Sequence, residues 1–340
     1  MKNRKGITLA GNILVDVVKT IDCYPNLGML SNIKSVSRAV GGCVPNTGID
    51  IAKIDGSVPL SAIGRVGNDE YGQYVVGQLN KYNLNTDGIT ISEAEPTSFS
   101  DVMSLPSGDR TFFHARGANA EFSPEYIDIN NLNCDILHIG YILLLDKFDR
   151  EDSEYGTVMA RFLKEVQAKG IKTSVDAVSD SSGKFREKIM PALKYCNYII
   201  FNEIECCNIW GVSPYFEDGK LDIKTIEDAM RKTMAYGVKD KVIVHCKKAG
   251  FCLNSDGEFT VVPSINIPKS AIKGSVGAGD AFCAGSLYGI YNGFSDKEIL
   301  TFAASAAACN LTSENSIDGM KPRAEIEKLV SIYGFETIDF

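Results

Sequence analysis

Gly274-Ser275-Val276-Gly277-Ala278-Gly279-Asp280-Ala281-Phe282 runs small residues directly into an aspartate, and then into an apolar helical pattern carried by Ala284, Leu287, Ile290 and Tyr291. A glycine-rich turn feeding a helix N-terminus aims several backbone N–H groups at one point. The helix dipole adds positive potential there, so the point suits phosphate. Asp280 falls in the first turn of that helix. A carboxylate beside a phosphate cradle repels phosphate and so has another task. The simplest is to take the proton from a hydroxyl that attacks phosphorus. Taken alone, the same residues also describe a tight turn and a helix-capping aspartate, and other parts of the chain have to decide between the two.

The chain has 340 residues, enough for one large α/β domain with an accessory piece or for two domains. Its net charge of −8 argues against a nucleic-acid partner, which calls for a basic stripe. It does not exclude phosphate ligands, because a local nest of N–H groups overrides the global field. Ten scattered cysteines form no Cys-x-x-Cys pair, and His114, His138 and His245 show no metal-ligand spacing. Reduced thiols in a cytoplasmic protein are expected. Lys2, Arg4 and Lys5 precede an apolar run from Ile7 to Val18, but Asn12 and Asp16 interrupt it, so it reads as a first strand rather than a signal peptide. No apolar run is long enough to span a membrane.

Short β-branched runs alternate with helical patterns through most of the sequence. Ile7–Val15, Pro59–Ile63, Ile136–Ile139, Thr173–Val175, Tyr198–Phe201 and Val242–His245 read as buried strands. Pro45–Ile54, Glu70–Tyr82, Tyr155–Lys169, Phe185–Lys194, Ile223–Tyr236, Asp280–Tyr291 and Asp296–Asn310 read as helices. The alternation predicts an α/β fold with a mostly parallel sheet covered on both faces. Ser295 and Glu298 form a capping box, and the alanine-rich run behind them suits close packing on the helix from Asp280. Two segments break the rhythm. Val17–Val40 is polar and extended, and Thr97–His114 reads as a hairpin turning at Pro106-Ser107-Gly108-Asp109. They predict a small β lid, residues 17–40 and 97–115, inserted in a single domain spanning 1–340. The apolar side of such a lid needs a partner, so a homodimer through it is expected.

Two further clusters bear on chemistry. Gly41-Gly42-Cys43-Val44-Pro45-Asn46 leads into a helix, where paired glycines admit a polyhydroxyl ligand and Asn46 both donates and accepts hydrogen bonds. Asp16 ends the first strand, and strand ends are where an α/β sheet places ligand-binding groups. Asn202-Glu203-Ile204-Glu205 follows the strand Tyr198–Phe201 and suits water around a nucleotide-borne Mg²⁺, or equally an acid-rich helix start. No P-loop, dinucleotide fingerprint or nucleophile elbow is present in the sequence.

The order of these pieces resembles the ribokinase-like (PfkB) carbohydrate kinase family across nearly the whole chain: Asp16, then Gly41-Gly42 with Asn46, Gly64-Arg65-Val66-Gly67-Asn68-Asp69, Gly117-Ala118-Asn119, Asn202 with Glu205, and Gly277-Ala278-Gly279-Asp280. The resemblance implies a central sheet flanked by helices, with a β lid closing over a sugar. It implies ATP as phosphoryl donor and Mg²⁺ as cofactor. Asp280 matches the family's base, and Gly277, Ala278 and Gly279 match its anion hole. Asp16, Gly41, Gly42 and Asn46 match its sugar site. Asn202 and Glu205 match its motif near Mg²⁺ and phosphate, acting through water.

Three departures stand out. Gly274-Ser275-Val276 replaces the usual acidic lead into the turn, which weakens any monovalent-cation site. His245-Cys246-Lys247-Lys248-Ala249-Gly250 keeps only Gly250 of a Thr-x-Gly-x-x-Gly nucleotide motif. Tyr141 stands where some ribose-specific relatives carry an acid, which disfavours plain ribose. The expected activity is phosphorylation of a hydroxyl on a small sugar or sugar derivative. A nucleoside kinase and a non-catalytic sugar-binding protein are the rivals.

Overall fold

The computed structural model describes residues 5–105, 109–178 and 184–338. The chain begins with β1 (Ile7–Gly11), β2 (Leu14–Ile21), β3 (Ile33–Gly41), α1 (Cys43–Ile54), β4 (Leu60–Gly67), α2 (Glu70–Lys81) and β5 (Asn85–Ser92). It continues through β6 (Phe99–Ser104), β7 (Arg110–Ala115), β8 (Ile136–Ile142) and the short pair β9 (Glu151–Asp152) and β10 (Gly156–Thr157). Then follow α3 (Val158–Ala168), β11 (Lys172–Ala177), α4 (Phe185–Leu193), β12 (Tyr198–Asn202), α5 (Glu203–Asn208) and α6 (Ile223–Tyr236). The last third holds β13 (Lys241–His245), β14 (Ala249–Asn254), β15 (Phe259–Pro263), α7 (Ala278–Tyr291), α8 (Asp296–Asn310), α9 (Arg323–Ile326) and α10 (Leu329–Tyr333).

One nine-stranded sheet runs in the order β15-β14-β13-β12-β11-β8-β1-β4-β5. From β13 to β5 every pairing is parallel, and β14 and β15 add antiparallel strands at one edge. β1 is buried along its whole length, as a strand covered on both faces must be. Alternate residues feed two cores. Ile7 and Leu9 join Val44, Ile49, Leu287 and Tyr288 on one face, while Ala10 joins Leu137, Phe162 and Ile226 on the other.

The run expected as one strand, Ile7–Val15, is two strands in two sheets. Gly11 takes a φ of +122°, and Asn12 N–H donates to Gly140 O at 2.9 Å, so the chain leaves the main sheet there. β2 then enters a four-stranded sheet in the order β3-β2-β6-β7. That sheet begins three residues earlier than expected and includes Gly41. Residues Pro106–Gly108 of the expected hairpin turn lie outside the described residues, and Leu105 N–H donates to Asp109 O at 2.9 Å across it.

α7 and α8 pack as their small residues predict. A Cβ added to Gly285 would stand 2.7 Å from Ala303 Cα, so the contact admits only glycine. The segment after α8 also packs on the turn before α7. Lys273 N–H donates to Leu311 O, and a Cβ on Gly277 would lie 2.6 Å from Ser316 Cβ.

Candidate active site

Gly140 and Tyr141 on β8, Asp176 on β11, Asn202 on β12 and His245 on β13 lie toward the carboxyl ends of parallel strands. Open α/β sheets bind ligands at this end. α7 starts over it. Gly277 is its N-cap residue, with φ +79°, and no side chain caps the terminus. Ala278 N–H makes a 3.3 Å bond to Ser275 O, and Ala281 N–H closes the first helical turn on Gly277 O at 2.8 Å. The helix therefore opens toward the strand ends with backbone donors and no side-chain acceptor.

Asp280, 8 % exposed, sits in that first turn and is held at both oxygens. Asn46 Nδ2 donates to Oδ2 at 2.9 Å, and the Tyr141 hydroxyl donates to Oδ1 at 2.6 Å. Burial pushes the Asp280 pKa up, and the bonds from Tyr141 and Asn46 restrain the rise. Desolvation outweighs the pull of the helix dipole toward the ionised form. Asn46 has a buried Oδ1 with no partner in the protein. A buried acceptor left open next to a clamped carboxylate is a place for a ligand hydroxyl.

Asp16, on β2, faces the same space. Burial, and then the charge of Asp280, raise its pKa to about 6, while Ser100 and Arg110 pull it down. The two glycines make room for these contacts. A Cβ on Gly41 would lie 2.6 Å from Asp16 Oδ2. Gly42, with φ +90°, would place one 2.4 Å from Asn12 O. Asp16, Gly41, Gly42 and Asn46 are thus brought to one side of Asp280.

Asn202 and Glu205 form a reciprocal capping box at the start of α5. Asn202 Oδ1 accepts from Glu205 N–H at 2.8 Å, and Glu205 Oε2 accepts from Asn202 N–H at 2.9 Å. They connect to Asp280 through Asp176, which sequence reading missed. The charges of Glu205 and Asp280 add to burial in raising the Asp176 pKa. Its signal in the sequence is the one used for Asp16, an aspartate at a strand end. A row of acids next to a bare helix N-terminus fits a divalent cation carried by phosphates, as the acids supply hard oxygen donors.

Gly250 lies in β14, where a Cβ would come 2.9 Å from Phe282 Cζ, so what the fold requires there is close packing under α7. Lys247 is exposed in the β13–β14 turn. His245 packs its ring on Phe282, centroids 4.9 Å apart, and under Gly279. Arg116 pairs with Asp146 at 3.1 Å, and Arg110 donates to Glu314 O at 3.4 Å, bridging the small sheet to the segment after α8.

The model of the pfkB family carbohydrate kinases matches residues 10–323. The ribokinase of Arabidopsis thaliana is 25 % identical over 327 residues, covering 95 % of this chain and 80 % of that protein. The 5-dehydro-2-deoxygluconokinase of Geobacillus kaustophilus is 23 % identical over 303 residues, covering 86 % and 85 %. A structure of Arabidopsis thaliana ribokinase complexed with ribose and ATP superposes with a TM-score of 0.78 at 22 % identity, covering 96 % of this chain and 99 % of the other. This last likeness bears on the fold, while the family match runs from β1 to α9 and takes in every strand end described above. The chain belongs to the pfkB family of carbohydrate kinases.

Proposed function

We propose that this kinase transfers the γ-phosphoryl group of ATP to a hydroxyl of a small sugar or sugar derivative, with Asp280 as the base. The observation that carries this reading is the carboxylate of Asp280, buried in the first turn of an uncapped helix and flanked by the open acceptor Asn46 Oδ1. Asp16 and Asn46 bind sugar hydroxyls, and Gly41 and Gly42 leave the space for them. The reacting hydroxyl donates to Asp280 and replaces the tyrosine hydroxyl at Oδ1. Its oxygen attacks the γ-phosphorus, its proton passes to Asp280, and the bond to the β-phosphate oxygen breaks to release ADP. The backbone donors of Gly277, Ala278 and Gly279 take up charge on the transferring group, which is where such donors contribute most.

Asn202 and Glu205 would hold Mg²⁺ through its waters, and the ion would supply charge neutralisation at the nucleotide phosphates. The β2-β3-β6-β7 sheet acts as the lid, carrying Asp16 over the site and excluding water that competes as acceptor. Its apolar residues Leu27, Met29, Leu30 and Val36 are exposed, which supports pairing with a second copy. No disulfide and no helix long and apolar enough to cross a membrane occurs among the described residues. We assign the protein to the cytoplasm on the first of these.

The test is ADP release from Mg·ATP across hexoses, pentoses, keto-sugar acids, polyols and nucleosides. Release that depends on a sugar or sugar acid supports the reading. Release with nucleosides alone moves the chain to the nucleoside branch. Silence together with absent ATP binding by calorimetry contradicts kinase activity.

A further inference from the structure

Beneath the acceptor side of the site lies a second constellation. His138 on β8, Asp176 on β11 and Cys283 on α7 are all buried, and one ligand-type atom from each lies within 4.8 Å of the others. They are far apart in sequence, so no spacing motif announces them. Cys283 is one helical turn beyond Asp280, and His138 points to it from the sheet.

We infer that His138, Asp176 and Cys283 form a binding site for a thiophilic divalent cation of the Zn²⁺ class. The distance between the two softer donors favours it. Cys283 Sγ stands 3.6 Å from His138 Nε2. Zn–N bonds of about 2.05 Å and Zn–S bonds of about 2.3 Å at a tetrahedral angle also place their ligand atoms about 3.6 Å apart. Bringing the widest donor pair to ligand spacing takes a shift on the order of 1 Å, within reach of a carboxylate rotation.

The surroundings are those of a metal-binding histidine. His138 Nδ1 is 2.9 Å from Ser174 Oγ. With the proton on Nδ1 and donated to Ser174, Nε2 presents its lone pair to the cluster, the usual way an outer partner fixes the tautomer of a ligand. Asp176 Oδ1 accepts from Ala177 N–H at 2.7 Å, which orients the carboxylate. Asp176, Glu205 and Asp280 gather acidic groups in a buried space, where a cation offsets their repulsion. Cys43 lies nearby on α1, with its thiol donating to Gly140 O at 2.6 Å.

Binding forms a metal–thiolate bond at Cys283, and the thiol proton leaves to solvent. A bound ion ties the first turns of α7 to β8 and β11, next to Asp280. The site is distinct from the phosphate-borne Mg²⁺, because thiolate and imidazole donors select a softer ion than Mg²⁺. It stands independently of the proposed phosphoryl transfer.

The test uses the full chain stripped with a chelator and titrated with Zn²⁺ or Co²⁺, with no kinase assay involved. The expected result is one equivalent bound per chain. The Co²⁺ form shows intense visible bands of a four-coordinate site and a thiolate-to-cobalt band in the near ultraviolet. Cys283→Ser removes the near-ultraviolet band, and Ser174→Ala, outside the ligand set, weakens Zn²⁺ binding about tenfold. If Cys283→Ser fails to fold, Ser174→Ala decides. Absent stoichiometric binding, a thiolate band that survives Cys283→Ser, or unchanged affinity in Ser174→Ala overturns the site.

Discussion

α7 and α8 pack side by side and begin in opposite ways. At α8, Ser295 Oγ accepts from Glu298 N–H at 3.4 Å and Glu298 Oε2 accepts from Ser295 N–H at 2.8 Å, a closed capping box. At α7, the same position is Gly277, which has no side chain to offer. The closed entrance satisfies its backbone donors from within and serves stability alone. The open entrance leaves its donors to an outside acceptor and has Asp280 buried at its edge. A helix start that forgoes its cap at the strand ends of an α/β sheet is spending stability on a ligand.

Substitutions at the two entrances separate these roles. Gly277→Val has the largest expected effect. Its φ of +79° and the 2.6 Å approach to Ser316 leave no place for a side chain, so the whole first turn moves and Asp280 with it. Turnover should fall about 10⁴-fold, combining the anion-hole and base contributions, measured as substrate-dependent ADP release.

Tyr141→Phe acts next. It removes a donor that favours ionised Asp280 in the free enzyme, so the Asp280 pKa rises further and the acid limb of the kcat/KM profile moves to higher pH. A loss that deepens as pH falls and recovers as pH rises is expected. An unmoved profile detaches Tyr141 from the base.

Asp16→Asn shifts stability with pH. The folded protein holds the Asp16 proton up to about pH 6 against 3.8 for the ordinary group, so this carboxyl favours folding below 3.8 and that contribution is lost as pH rises through 6. The variant should therefore gain about 3 kcal/mol on the wild type between pH 4 and pH 7, read from urea unfolding, while losing sugar affinity. Ser295→Ala is the smallest change. It should cost about 1 kcal/mol of stability and leave kcat and KM as they are. A kinetic effect there erases the distinction between the two entrances.

What the sequence disclosed follows the same division. Local signals were legible. α6 and α8 begin and end where expected, because Asp222 and Ser295 cap them with their own side chains. Glycine-aspartate spacing exposed Asp280 and its turn. Contacts across the chain were not legible. Tyr141 and Asp280 are 139 residues apart, and Asn46 and Asp280 are 234 apart. No periodicity reports that they meet. β14 escapes the strand reading because its first residues, Ala249 and Gly250, close the nucleotide motif that starts at His245, and the edge strands β5 and β15 are too polar or too short for a clear apolar run. Asp176 went unnoticed because a single aspartate after a strand carries little information until its neighbours, Glu205 and Asp280, are known.

Asp280→Asn separates a base at the open entrance of α7 from a carboxylate that only holds the turn. The amide keeps the shape and the bond from Tyr141 but cannot take a proton. With the best acceptor from the substrate panel, the account predicts a loss of about 10³-fold in kcat, with ATP affinity by calorimetry close to the wild type. A variant that turns over within a few-fold of the wild type contradicts the assignment of Asp280 as the base.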